Sequence, residues 1–563
     1  MLSWRPRPVV ALMLLLFALA ACKKESGTEL PSDFRPRAAA VDVDKLAVPA
    51  LFAHIPADSP YVVASFEAVP LAYLAKFKRG LGPALGRAFD KLRTFTRDGA
   101  PSRWIDAIAD ELDGKWNAKG IESLGFSANP RFAVYGQGIL PVLRVEIADG
   151  KILLATLERV AARAGATLPP LENRHGREFW RIELPGDDGA IIAIHDKQLV
   201  AAVGPRSAIA DVLPQILGAE QPSRSMADGK LLKELIAKHR LGPQLVGFLD
   251  GKRLATAAIA LADRPPPKAC IAEIDRLTAN VPRVVFGYSE ITDKRISGAA
   301  IVELAPALVG ELKAMKAVVP GLGAALADDP LFAMGGGIDL ARAQRAGKSV
   351  AYALHDLAEA CDAAKMARSA AELRDAMTRP LPGPLAKITG GVIAVDAIEL
   401  PGGGGGRGQM GIPEKLDAFA MMTAADPKGV LDELLGGAPR FVRNLGIKAD
   451  GKLHEIEIPG GFLPFEVHAG VGDAALVVTA GARGKKLGDK ALGYSGGAAA
   501  PFLAGSIDYG KLLELTTQLG GTSGGDAVER ELNEAMAKLL GRTTFTIDAS
   551  DHGLAWWFSM ELK

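Results

Sequence analysis

Cysteine and histidine are both scarce in this chain of 563 residues. The three cysteines are Cys22, Cys270 and Cys361, and no two of them have the spacing of metal ligands or form a C-x-x-C-H haem motif. None of the eight histidines belongs to an H-E-x-x-H zinc motif. We therefore expect neither a metal site nor a cofactor.

An excess of charge of either sign is also missing, since 66 Lys and Arg residues face 65 Asp and Glu residues. A protein that binds nucleic acid needs a basic excess to displace counterions from the phosphates, so this balance argues against a nucleic-acid partner. Hydrophobic residues make up 48% of the chain, which is ordinary for a globular protein. A single core stops growing near ~250–300 residues, so the length predicts at least two domains.

Long hydrophobic runs are confined to the N-terminus. The run Val9–Leu19 is shorter than the ~20 apolar residues that cross a membrane. It follows the basic residues Arg5 and Arg7 and precedes the small residues Ala20 and Ala21. A basic region, a short apolar region and small residues, in that order, are the layout of a secretory signal peptide.

The residues Leu19-Ala20-Ala21-Cys22 resemble the lipobox of bacterial lipoproteins. The resemblance implies that residues 1–21 are a signal peptide, and that Cys22 becomes the acylated N-terminus. Two or more acyl chains are enough for stable anchoring in a membrane. Lys23, in place of Asp, implies the outer membrane under the usual sorting rule of that family, with the body facing the periplasm.

The residues that follow Cys22 predict a tether. Residues 23–45 are polar and contain Pro31 and Pro36, which is typical of a flexible linker. Such a linker would hold the body roughly 25–30 Å from its anchor. We accordingly assign residues 22–48 to a lipidated tether.

Strand-like segments recur in the same order in the two halves of the remaining chain. Phe179–Pro185 matches Leu453–Pro459, and Gln244–Leu254 matches Phe502–Leu512. Ordered self-similarity is the mark of an internal duplication. We predict two tandem α+β domains, residues 49–304 and 305–563, with mainly antiparallel sheets covered by helices.

Several acidic residues also recur between the halves. Asp149 and Asp426 each precede a helix-like stretch and suit the N-cap. Asp250 recurs as Asp508, and Glu183 recurs as Glu457. Recurrence in both copies favours structural roles over acid–base catalysis for these carboxylates.

The start of the body, Ile55-Pro-Ala-Asp-Ser-Pro-Tyr61, leads directly into a strand-like run. It resembles the opening of some uncharacterised bacterial envelope proteins, in which a Pro-Ala-Asp-Ser/Thr turn precedes the first strand. That group has no established activity, so the resemblance implies an envelope protein and nothing about chemistry.

One motif points to catalysis. Gly493-Tyr494-Ser495-Gly496-Gly497 resembles the nucleophile elbow of lipases and esterases, which implies Ser495 as nucleophile. Asp526 or Asp548, and then His552, follow in the order that family uses. An anchored serine hydrolase is therefore the alternative function.

The surroundings of Ser495 depart from that family. The elbow needs a strand before the serine and a helix after it. Here Lys485–Leu492 is charged and unlike a strand, while Ala498–Pro501 leads into a predicted strand. We therefore favour a non-catalytic protein and keep the hydrolase as the alternative.

Cys270 and Cys361 remain once Cys22 is assigned to the anchor. An exported protein meets an oxidising compartment, where the two would form a disulfide. Cys361 also lies on an apolar helical stripe with Leu354 and Leu357, which favours a buried, unpaired thiol. The sequence leaves both states open.

These observations predict a membrane-anchored envelope lipoprotein that binds or scaffolds without catalysis. Its partner would be an envelope protein or a lipid-like ligand, held in a cleft between the two repeats. A deep apolar cavity favours the lipid-like ligand, and a flat exposed apolar patch favours a protein partner.

Overall fold

The computed structural model describes most of the chain that follows the predicted signal peptide. The described residues are 30–36, 38–39, 41–77, 80, 100–112, 114–115, 117–184, 186–260, 264–327, 329–399, 413–439, 443, 445–457, 463–493, 497–518 and 527–563. Cys22, Ser495 and Asp526 lie outside them. Among these residues, no helix combines the length and apolarity needed to cross a membrane.

Helices and strands alternate along the described chain. The strands are β1 (Tyr61–Ala64), β2 (Phe132–Gln137), β3 (Leu140–Glu146), β4 (Leu171–Arg174), β5 (Arg177–Glu183), β6 (Asp188–His195), β7 (Gln198–Pro205), β8 (Val246–Asp250), β9 (Arg283–Ile291), β10 (Arg295–Glu303), β11 (Phe332–Gly337), β12 (Ile388–Glu399), β13 (Lys415–Ala424), β14 (His454–Glu455), β15 (Val467–Val471), β16 (Ala475–Ala480), β17 (Leu503–Asp508), β18 (Leu540–Ala549) and β19 (Gly553–Leu562). The α-helices are α1 (Ala100–Leu112), α2 (Ala118–Ser123), α3 (Gly150–Arg163), α4 (Arg206–Asp211), α5 (Leu213–Ile216), α6 (Leu231–His239), α7 (Gly251–Ala260), α8 (Lys268–Asn280), α9 (Pro306–Ala314), α10 (Leu322–Ala327), α11 (Leu340–Ala360), α12 (Ala364–Thr378), α13 (Gly383–Lys387), α14 (Pro427–Gly437), α15 (Gly481–Gly493), α16 (Tyr509–Gln518) and α17 (Ala527–Leu539). A further helical segment covers residues 71–77.

All pairs among the described strands are antiparallel, which confirms the predicted α+β class with mainly antiparallel sheet. The first ten strands lie in the order β4-β5-β6-β7-β3-β2-β1-β8-β9-β10. The other nine lie in the order β19-β18-β17-β11-β12-β13-β16-β15-β14. Strands β10 and β19 pair with each other, from Arg295 opposite Glu561 to Glu303 opposite Gly553. The strands therefore form one continuous sheet, whereas the sequence predicted sheets in two separate domains.

Two large hydrophobic cores lie on the same face of this sheet. The first contains Val62 and Phe248 and extends to Trp557 on β19. The second contains Ala504 and Val392 and covers the strands beyond β18. Alternate residues of a strand point to opposite faces, so the neighbours of these core residues lie on the other face of the sheet.

The flexible tether predicted for residues 22–48 is wrong for its described part. Residues Ser32–Phe34 form a 3₁₀ turn, and Phe34 is fully buried in the second core. The Arg35 guanidinium is ion-paired with the buried Asp548 carboxylate. The Lys233 ammonium donates to the Leu46 carbonyl at 2.8 Å. Single apolar side chains, such as Phe34, pack this segment against the rest of the protein. The mostly polar composition of the segment does not indicate this packing.

A disulfide joins Cys270, on α8, to Cys361, at the end of α11. The two cysteines are 91 residues apart and come from the two predicted repeats. Of the two states that the sequence left open, the structure therefore has the paired one.

Candidate ligand-binding cavity

A cavity of about 420 Å³ lies on the sheet face opposite the second core. It crosses six neighbouring strands, β17, β11, β12, β13, β16 and β15, and reaches helix α14. Cavities of this size are typical of small-molecule sites. The sequence predicted a cleft between the repeats, but every lining residue lies between Met334 and Leu503, within the second one.

One row of side chains forms part of the cavity floor. Met334 lies opposite Ile393, and Ile393 lies opposite Ala420 on the next strand. Ala420 lies opposite Val478, which in turn lies opposite Ala469. Directly opposed residues of antiparallel strands share a face, so these five side chains form an apolar row perpendicular to the strands.

A second row of residues runs parallel to the first, and two of its members are glycines, which have no side chains. Gly336 lies opposite Gly391, and Gly391 lies opposite Met422. Met422 lies opposite Leu476. The Phe502 carbonyl lies against Gly336, where a side chain would begin, so the floor is covered at that position. Gly391 has no side chain and keeps the floor low above β12, beside the larger Met422 and Leu476 on β13 and β16.

Helix α14 covers one side of the cavity. Asp426 accepts a hydrogen bond from the Gly429 backbone N–H at 2.9 Å, which caps the helix start. Val430 and Leu431 are buried in a small core with Leu476, and this packing holds the helix on the sheet. The side of the helix that faces the cavity is therefore fixed by its first two turns.

The lining is apolar throughout but remains open to solvent. All the described lining residues are Gly, Ala, Val, Leu, Ile, Met or Phe. Three large lining residues keep much of their surface exposed: Ile393 (38%), Leu434 (46%) and Val478 (47%). Clustered exposed apolar side chains mark interaction sites on protein surfaces. The described lining residues include no general acid, base or nucleophile.

Of the predicted hydrolase residues, Asp548 and His552 are among the described ones, and Asp526 is not. Ser495 lies outside those residues, and the segment before it is the helix α15 rather than the strand that an elbow requires. Asp548 is fully buried, pairs with Arg35, and accepts a hydrogen bond from Lys316 at 2.8 Å. Its carboxylate is therefore engaged by cations other than His552.

His552 instead meets His239, with the two rings edge to face and their centroids 5.1 Å apart. Burial lowers the pKa of His552, and the nearby His239 lowers it further. An added proton on the His552 ring would face His239 and Lys238, which disfavours the charged form of His552.

Glu303 is hydrogen-bonded to this histidine pair through His239. The sequence did not predict a role for it. His239 Nε2 lies 2.9 Å from Glu303 Oε1, and Lys238 Nζ donates to the same oxygen at 2.5 Å. Burial alone raises the pKa of Glu303, but the hydrogen bonds from His239 and Lys238 outweigh it and lower the pKa to about 2. The residues are over sixty positions apart in the chain, so no local pattern indicates the contact.

The other histidines and cysteines also form no metal site in the part of the chain that the structure describes. His454 is hydrogen-bonded to Asp450 at 2.8 Å, and His468 is buried on a neighbouring strand.

The recurring aspartates are structural, as predicted. Asp149, Asp250, Asp426 and Asp508 each accept a hydrogen bond from the backbone N–H three residues further on, at 2.9 to 3.1 Å. Each carboxylate thereby satisfies an otherwise unpaired donor in the first turn of a helix. Glu183 is exposed and ion-paired with Arg206.

Comparison of the chain with protein-family models, curated proteins and solved structures finds no match.

Proposed function

We propose that this protein is a non-catalytic lipoprotein of the bacterial envelope that binds an apolar ligand in the cavity of its second half. The observation that carries the proposal is a lining that is wholly apolar and yet open to solvent. Covering apolar surface stabilises a complex by roughly 25 cal/mol per Å², and an apolar ligand does this without leaving unpaired polar groups.

The proposed location is the outer membrane, with the body in the periplasm. Cleavage after residue 21 and acylation of Cys22 would supply the anchor. The Cys270–Cys361 disulfide supports this placement, because disulfides persist in oxidising compartments such as the periplasm.

We also propose that the two halves arose by duplication. The pairings within the first half, such as β1 with β2 and with β8, have counterparts in the second, where β11 pairs with β12 and with β17. Backbone contacts recur as well. The Asp250 N–H donates to the Pro60 carbonyl at 2.8 Å, and the Asp508 N–H donates to the Leu331 carbonyl at 2.9 Å.

Native purification from membranes tests anchoring and binding in one preparation. We expect an intact mass that corresponds to an acylated Cys22 with residues 1–21 removed. We also expect a copurified apolar compound, which the variant Ile393→Glu loses because a carboxylate enters the apolar row. Val350→Glu is the matched control, since Val350 is 54% exposed on α11 away from the cavity.

Equal amounts of the apolar compound in wild type and Ile393→Glu would contradict binding in the cavity. The hydrolase alternative makes a different prediction. It requires the same preparation to cleave short-chain esters and Ser495→Ala to abolish that cleavage, whereas the binding proposal expects no activity above background.

A further inference from the structure

We infer that the ligand is a single extended acyl chain lying across the strands, an inference that rests on the binding function proposed above. The first support is the length of the cavity. Its lining runs from Leu503 on β17 to Ala469 on β15. Six neighbouring strands enclose five spacings of ~4.7–4.9 Å, so the floor is roughly 24 Å long.

The second support is the width. A volume of about 420 Å³ spread over that length describes a long and narrow space rather than a compact one. An extended polymethylene chain matches this form better than a compact fused ring system does.

The third support is the shape of the floor. The small residues Gly391 on β12 and Ala420 on β13 lie beside the larger Ile393 and Met422. This leaves a trough that passes from one strand to the next. The flexible thioether of Met422 adapts to a chain that varies in length or kink.

The cavity volume indicates the size of the chain. If a methylene group occupies about the ~30 Å³ of a water molecule, the space holds roughly 14 of them. Because no charged side chain is among the described lining residues, a polar head buried there would be left unpaired. The head group therefore stays outside the cavity. A free fatty acid and one chain of a phospholipid satisfy these requirements equally.

Photolabelling of the full-length mature protein in bilayer nanodiscs tests the inference. Two probes carry a diazirine on a chain of about 14 carbons, one beside the head group and one at the terminal carbon. Each is supplied as the free fatty acid and as a phospholipid chain, and labelled peptides are mapped by mass spectrometry. A chain across the strands places the two labels on different strands, towards β17 and towards β15.

The substitution Ala420→Leu narrows the middle of the row and is expected to reduce labelling by the long probes about tenfold, while probes of roughly half the length still bind. Ala258→Leu, on the exposed side of α7, is the matched control and should leave labelling unchanged. Labelling by the free acid, by the phospholipid or by both identifies the source, and each of these supports an acyl-chain site.

Two results would overturn the inference in different ways. If both probe positions label the same strand, or if a sterol probe labels the cavity as well as the acyl probes do, the cavity binds apolar ligands but not as inferred. If no probe labels the cavity in wild type, the proposed binding function fails as well.

Discussion

The two halves of this protein share a strand-pairing scheme but fill one face of it differently. In the first half the corresponding row consists of Val63, Val134, Leu143, Ala201 and Ile192. In the second half that row is Met334, Ile393, Ala420, Val478 and Ala469. In the neighbouring row, Phe132 takes the place that Gly391 has in the second half.

Strand pairing therefore sets the positions of the side chains, and side-chain volume sets whether a space remains between them. An interior filled to normal density leaves few gaps larger than a water molecule. On two adjacent strands the second half has Gly391 and Ala420 where the first half has Phe132 and Leu143, which leaves more space at these positions. Two halves with the same strand pairing can thus differ in the space left on one face of the sheet.

The largest loss of stability is expected from replacing Asp548, a buried charged residue at a position where the first half has a serine. Asp548 stands at the place that Ser289 has on β9, and it pairs with Arg35 and Lys316. Asp548→Ser leaves Lys316, which is 14% exposed, without its partner. We expect a loss of about 3–5 kcal/mol in the free energy of unfolding, because a mostly buried charge is uncompensated.

Urea denaturation measures this loss. Asp551→Ser is the control, because Asp551 is 86% exposed and pairs with the half-exposed Lys313. A pair at the surface contributes about 0–1 kcal/mol. Equal losses in the two variants would mean that the buried position of Asp548 has no energetic consequence.

The disulfide between the halves should have the next largest effect. The double variant Cys270→Ser, Cys361→Ser is expected to lose about 2–4 kcal/mol, because the cross-link restricts the unfolded chain. Unfolding should keep a single transition, since β10 and β19 remain paired along their full length. Calorimetry that resolves two transitions in the double variant would instead show that the halves are coupled mainly through the disulfide.

The two halves also differ in the burial of a glutamate at corresponding positions. Glu303 is buried beside His239, whereas Glu561, at the corresponding place on β19, has a side chain that is 48% exposed. The pKa of Glu303 is lowered to about 2 from its ordinary 4.5. A lowered pKa means that the ionised group stabilises the fold fully above its unfolded pKa, and that this stabilisation is lost as pH falls towards 2.

Glu303→Gln should therefore destabilise the protein by about 2 kcal/mol at pH 7, with the difference from wild type shrinking between about pH 4.5 and 2. Glu561→Gln should change stability by less than about 0.5 kcal/mol. Denaturation curves for both variants at pH 7 and at pH 3 test this, and a constant difference across that range would contradict the assignment.

The smallest expected effect, about tenfold in affinity, comes from making the second half resemble the first. Gly391→Phe introduces into the trough the phenylalanine that the first half has at the corresponding position, Phe132. It should weaken acyl-probe labelling without loss of the fold. Circular dichroism verifies the fold, and labelling against probe concentration gives the affinity. Ala420→Leu, which copies Leu143, serves as the second variant, and unchanged affinity in both would show that the trough is not the binding site.

Local signals in the sequence identified much of the framework. The helix starts at Asp149 and Asp426 were predicted from a carboxylate ahead of an apolar helical pattern, because an N-cap acts within one turn. The strand-like runs and hairpins predicted an antiparallel α+β fold, because short connections join strands that are neighbours in an antiparallel sheet.

The candidate site was not predictable in this way. The cavity depends on the volumes of Gly391, Ala420 and their neighbours across six strands, which only the pairing register brings together. The docking of Phe34 also depends on a distant partner, since its pocket is built by the second core. Nothing in the composition of residues 23–45 distinguishes a docked segment from a free one.

The sequence by itself determined the helix starts at Asp149 and Asp426, many of the strands and the antiparallel α+β class, because propensity, periodicity and capping act over a few residues. Only the tertiary structure decided that β10 joins β19, that Cys270 reaches Cys361, that Glu303 meets His239, and that an apolar trough opens in the second half. These features depend on which surfaces meet and on the space left between them, and both are settled by packing across the whole sheet.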